Sequence, residues 1–123
     1  VRLEDQVASL DLCKRLKELN VKQESYFEWL YRPDLDSWSV SPRFKNQLGY
    51  SAFTSSELGE MLPYSVDDGV DFYYPNYTKH PKYYRVQLLS DGNKMLLNLT
   101  ADTESELRAK MLIYLIENGL VNV

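Results

Sequence analysis

The densest chemistry in this sequence lies between Asp71 and Arg85. There Tyr73, Tyr77, Lys79, His80, Lys82 and Tyr83 interleave aromatic and basic side chains. That pattern suits single-stranded nucleic acid, whose bases stack on rings while its phosphates follow the cations. It suits protein recognition as well, because tyrosine offers a large contact area at little entropy cost. The plainest reading is a tyrosine-rich sheet edge with half of its rings packed. Of the two functional readings, protein contact ranks above nucleic acid. The chain has 10 tyrosines, and six of them, Tyr64, Tyr73, Tyr74, Tyr77, Tyr83 and Tyr84, fall in or just before this region.

A second set is acidic: Asp67, Asp68 and Asp71, with His80 not far along the chain. Carboxylates with a histidine can hold a divalent metal or move a proton. Their spacing matches no calcium loop, however, and the chain has one histidine to offer. A solvated turn is the expectation, with no metal or cofactor implied and no catalytic residue assigned. Cys13 falls beside the apolar stripe of a predicted helix, which favours a buried, inert thiol. The phrase Leu12 to Val21 has the look of the opening helix of a helix-turn-helix. The segment that follows, Tyr26 to Tyr31, is β-rich and lacks a basic polar face, so no recognition helix is expected. No Gly-rich phosphate loop, Gly-x-Ser-x-Gly elbow or Cys-x-x-Cys pair occurs.

Length and composition set the frame. A chain of 123 residues with 44% hydrophobic and 26% charged residues fits one globular domain spanning 1–123. The net charge of −4 argues against general duplex DNA binding, which needs many phosphate contacts. The charge is uneven: Glu57, Glu60, Asp67, Asp68 and Asp71 form an acidic run, and Lys79, Lys82 and Arg85 a basic one. One cysteine suits a reducing compartment. No apolar run approaches the ~18 residues that cross a bilayer, and no signal peptide is visible.

The element that must organise the rest is the stretch Thr103 to Gly119. Thr103 and Glu106 spell a capping box, and Gly119 is a left-handed stop. Between them Met111 to Ile116 is an unbroken apolar run that covers most of a helix circumference. Burial against a sheet on one side and another element on the other is the expectation. The first helix runs from a Ser9 cap to about Leu19, with Leu12, Leu16 and Leu19 on one face, an Asp11–Arg15 pair and an Asn20 stop. A third, short helix, Ser55 to Leu62, opens with a Thr54-Glu57 capping box and ends at Pro63.

Residues Val1 to Ala8 read as an extended lead-in. Tyr26 to Tyr31 reads as a strand, the segment through Asp36 as a turn, and Trp38 to Val40 as the returning partner. Ser41 to Ala52 reads as loop anchored by Phe44, Leu48 and Tyr50. Val70, Phe72 and Tyr74 alternate with Asp71 and Tyr73 in a further strand, and Pro75 to Pro81 reads as loop. Tyr83 to Ser90 and Lys94 to Thr100 form a hairpin around Asp91-Gly92-Asn93. The sum is an α+β fold, with a mostly antiparallel sheet of four or five strands and the first and last helices packed on it. If those two helices lie side by side, the chain is a self-sufficient monomer. If not, the apolar flank left on the last helix favours a C2 dimer.

Four segments resemble an uncharacterised family of small proteins encoded by bacteriophages and prophages of gut-type bacteria. They are Ser9 to Ser25, the aromatic strand Tyr26 to Trp29, Ser51 to Pro63, and Ala109 to Leu120. Together they cover about half of the chain. Asn20 stands where the family usually has Gly, and Cys13 where it often has Ala, which touches capping and packing rather than chemistry. The region Val66 to Ser90 has no counterpart. The resemblance implies a mobile-element origin and a bacterial cytoplasm, and it carries no active site over. The expectation is a non-enzymatic accessory protein acting on an unidentified protein partner. The alternative is a small nucleic-acid-binding module using 73–85.

Overall fold

The computed structural model describes residues 2–43 and 49–122. A short 3-10 turn at Leu3–Asp5 leads into Val7, which bridges to Thr54. The expected extended lead-in is therefore partly coiled. Helix α1 spans Leu10–Glu18 and stops where Asn20 takes a left-handed φ of 67°. Strand β1 (Phe27–Arg32) pairs antiparallel with β2 (Ser37–Pro42) on one side and β3 (Tyr50–Ala52) on the other. Among the described residues the order β2-β1-β3 makes a sheet of three strands. Tyr50 to Ala52, read as loop, is thus a strand, because Tyr50 and Ala52 lie opposite Trp29 and Phe27. Phe44 and Leu48 lie outside the described residues.

Helix α2 (Ser55–Met61) opens on the capping box read from the sequence. The Glu57 amide donates to Thr54 Oγ1 at 3.2 Å, and the Thr54 amide donates to Glu57 Oε1 at 2.9 Å. The second oxygen of Glu57 accepts the Tyr26 amide at 3.1 Å, so this local device also fixes the entry to β1.

Four further strands form the second sheet, in the order β4-β5-β6-β7. They are β4 (Val66–Asp67), β5 (Phe72–Lys79), β6 (Tyr84–Leu89) and β7 (Met95–Ala101). All neighbours are antiparallel, and the Asp91-Gly92-Asn93 turn joins β6 to β7 with Asn93 at a φ of 63°. The α+β class and the antiparallel pairing match the sequence reading, but the strands divide between two sheets. Strand β5 also runs through Pro75 to Lys79, which read as loop. Pro75 is tolerated there because β4 pairs only as far as Tyr73, leaving Pro75 on a free edge where no amide is needed.

Helix α3 (Glu104–Glu117) stands between the two sheets and belongs to two cores. Leu107, Met111 and Leu115 pack with Val66, Tyr73, Val86, Leu88 and Leu97 of the second sheet. Ala109, Leu112 and Ile113 pack with Leu16 of α1, Trp29 and Val40 of the first sheet, and Phe53 and Leu58. That division explains the unbroken apolar run: two opposite faces are buried at once. Met111 and Leu115 are both 0% exposed. Thr103 caps the helix by accepting the Glu106 amide at 3.2 Å. The Leu120 amide closes the far end on Leu115 O at 2.8 Å, with Gly119 at a φ of 67°.

The reciprocal half of that capping box is absent, for a tertiary reason. The Glu106 carboxylate accepts the amide of Ser9, at the start of α1, instead. Ser9, the N-cap of α1, makes no side-chain cap of its own. Arg15 likewise turns from the expected Asp11 to Glu117 of α3 at 2.7 Å and Glu18 at 3.4 Å. Helices α1 and α3 are thereby tied at both ends, side by side.

Candidate functional site

The six residues picked out for binding are spread along the hairpin of β5 and β6. Tyr73 is buried, facing the second core, with the Asp68 carboxylate near its hydroxyl. Burial first, and the neighbouring Asp68 carboxylate second, push its phenol above the ordinary value. Tyr77 stands on the same face of β5, four residues on. Its hydroxyl donates to Met111 Sδ at 3.6 Å, and the Arg108 guanidinium lies 5.5 Å from its ring centre. Lys79, His80, Lys82 and Tyr83 gather at the hairpin tip. The His80 ring stacks on Tyr83 at 4.4 Å, and its amide donates to Tyr83 O at 2.8 Å. Lys79 Nζ sits 5.6 Å from the Tyr84 ring centre, and Lys82 is exposed. The tip therefore groups four of the six, while Tyr73 and Tyr77 serve the interior and a groove.

The groove runs between α2 and β5, about 540 Å³ in volume, with Pro63, Tyr64, Pro75, Tyr77 and Arg108 among its walls. Arg108 is fixed there by donating from Nη1 to Ser55 O at 2.8 Å.

The acidic set is taken up by its own turn. Asp68 Oδ1 accepts the amides of Asp71 at 2.8 Å and Val70 at 2.9 Å, and these bonds hold its carboxyl below the ordinary range. Asp67 Oδ1 accepts the Gly69 amide at 2.8 Å, and Asp71 pairs with Lys94 at 3.0 Å. His80 lies at the other end of β5, away from them. Among the described residues no group of three metal-ligating side chains converges. Cys13 is fully buried, its thiol donating to Ala8 O at 3.4 Å and pushed up to about 12 by desolvation.

Two features escape a reading of the sequence. The first is the phase of β5. Its inward face carries Tyr73, so Phe72 and Tyr74 point outward, away from α3. Phe72 is 57% exposed, Val70 80%, Met95 53% and Tyr64 87%. Tyr64 and Tyr74 meet edge to face at 6.1 Å, and Tyr74 lies opposite Leu89, which lies opposite Met95. The apolar alternation fits either phase, since both faces of β5 are aromatic. The burial of Tyr73 beside Val66, Val86 and Leu88 decides it.

The second is an aromatic row on the first sheet. Trp38 lies 5.6 Å from Tyr31 and 5.9 Å from Tyr50, ring centre to ring centre. Lys14 Nζ stands 5.1 Å from the Trp38 ring and 5.8 Å from Tyr50, and Lys17 Nζ 5.1 Å from Tyr50. Aromatic and basic groups interleave here in space, although in sequence they are far apart.

No protein family, no curated protein and no solved structure matches this chain. Among the described residues, no helix is long and apolar enough to cross a membrane.

Proposed function

We propose that this chain is a non-enzymatic accessory protein of phage or prophage origin that holds a protein partner in a bacterial cytoplasm. The observation that carries the reading is the uncovered outer face of the second sheet. There Phe72, Tyr74 and Met95, with Tyr64 beside them, offer aromatic and sulfur-bearing side chains to solvent. Such residues dominate the centres of protein interfaces, and contiguous exposed patches of them mark contact sites. The reactive groups support a non-catalytic role. The Cys13 thiol is buried, Asp68 is held by backbone amides, and His80 is stacked at a hairpin tip. The origin rests on the four segments that resemble phage and prophage proteins.

The test is capture of a partner from bacterial lysate by the parent chain and by a Phe72→Ser, Tyr74→Ser variant. Both side chains are exposed, so the variant keeps its melting temperature. A partner held by the parent and lost by the variant supports the reading. Equal capture by both removes it.

A further inference from the structure

We infer that the α1-facing side of the first sheet carries a binding site for a nucleobase–phosphate unit, formed by Tyr31, Trp38 and Tyr50 with Lys14 and Lys17. It uses a different face from the one proposed for protein contact and stands or falls separately. Lys14 and Lys17 are three apart on α1, so they project from one side of the helix. Both ammonium groups approach the Tyr50 ring, at 5.8 and 5.1 Å, and Lys14 also faces Trp38.

The charges point to an anion. Arg2, Arg15, Lys22, Arg32 and Lys94 each have a carboxylate within 4.0 Å. Among the described residues Lys14 and Lys17 have none, as is also true of Arg43, Lys79, Lys82, Arg85 and Lys110, but Lys14 and Lys17 converge on one ring, that of Tyr50. Glu18, one turn from Lys14, is taken by Arg15. Two like charges over one ring repel, and the ring quadrupole offsets only part of this. A phosphate between them would complete the arrangement.

The rings point to a planar group. Tyr31 is 44% exposed, and Trp38 and Tyr50 are half-buried, so the row is open at the Tyr31 end. There the Tyr31 hydroxyl is fixed by donating to Asp36. Base stacking on such rings tolerates any sequence, and flexible lysines reach the backbone beside it. The same chemistry is offered by a free nucleotide and by a single strand.

Tryptophan emission reads the site directly. Of the 2 tryptophans, Trp29 is buried with Nε1 donating to Ala8 O at 3.0 Å, which leaves Trp38 as the reporter. A short oligothymidylate and thymidine monophosphate are titrated against the full chain. Quenching by the oligonucleotide is expected, with affinity falling as salt rises from about 50 to 200 mM at a log–log slope of about −1.4 for two phosphates. Quenching by the monophosphate at equal affinity also supports the site and assigns it to free nucleotides. Lys14→Gln with Lys17→Gln should flatten the slope toward zero, and Trp38→Phe should remove the signal. If the double variant fails to fold, Lys17→Gln alone, on an exposed side chain, should lower the slope by about 0.7. No quenching by either ligand overturns the proposal, as does a salt slope unchanged in the lysine variants. Binding of polyglutamate as tight as that of the oligonucleotide overturns it too.

Discussion

A β-carbon built on Gly59 would stand 2.4 Å from Nη1 of Arg108. The arginine crosses beneath α2 at the one residue without a side chain and reaches the Ser55 carbonyl at 2.8 Å. Gly59→Ala should therefore fail to deliver the usual gain of about 1 kcal/mol for removing glycine from a helix interior. In an Arg108→Ala background the same change should deliver it. A double-mutant cycle by urea unfolding measures the difference, and additive effects would show that the two residues do not compete.

Leu115 is fully buried against the second sheet, in a helix that also walls the first core. Leu115→Ala should cost about 2–5 kcal/mol through lost transfer energy and the cavity left behind. A variant that unfolds at the parent's urea midpoint would place this side chain in solvent.

The two threonine caps differ in what they hold. Thr54→Ala and Thr103→Ala should each cost about 0.5–2 kcal/mol, with Thr54 the larger. Thr54 is half of a reciprocal box and bridges to Val7, whereas the partner carboxylate of Thr103 is engaged by Ser9. Thermal melts of the two variants rank them.

Asp68 titrates below the ordinary value of 3.8 because amides of its own turn stabilise the carboxylate. A lowered folded value means that this stabilisation is complete above pH 3.8 and is lost as pH falls through the folded value. The stability gap between the parent and Asp68→Asn should therefore narrow in acid. Urea midpoints of both proteins followed down through pH 4 give the answer, and a constant gap would separate the aspartate from its turn.

Both buried faces of α3 are covered by the chain's own sheets and by α1, which removes the apolar flank that would drive a helix-mediated dimer. Light scattering at micromolar concentration should give a mass near 14.4 kDa. Twice that value would require a different surface, with the outer face of the second sheet first in line.

Local devices are legible in the sequence, and relationships between distant segments are not. The Thr54 box, the Asn20 and Gly119 stops and the Asp91-Gly92-Asn93 hairpin each depend on a few neighbouring residues, and each appears where those residues place it. The division into two sheets depends on which strands β1 and β5 choose as neighbours, and no local pattern encodes that choice. Glu106 illustrates the same limit. Its spacing from Thr103 spells a box, but an amide 97 residues away takes the carboxylate. Of the candidate site, the Lys79 to Tyr83 tip is visible in the sequence as a cluster. The Trp38 row is not, because its lysines come from α1 and its rings from three strands.

Helix α3 also makes the two halves of the molecule depend on one another. Among the described residues seven strands and two α-helices precede it, yet each of their two cores lacks one wall without residues 104–117. Without that helix, Leu88 and Val86 on one side and Trp29 and Phe53 on the other each lack packing partners. Both halves close on the same helix, so a change that loosens α3 loosens the two cores together.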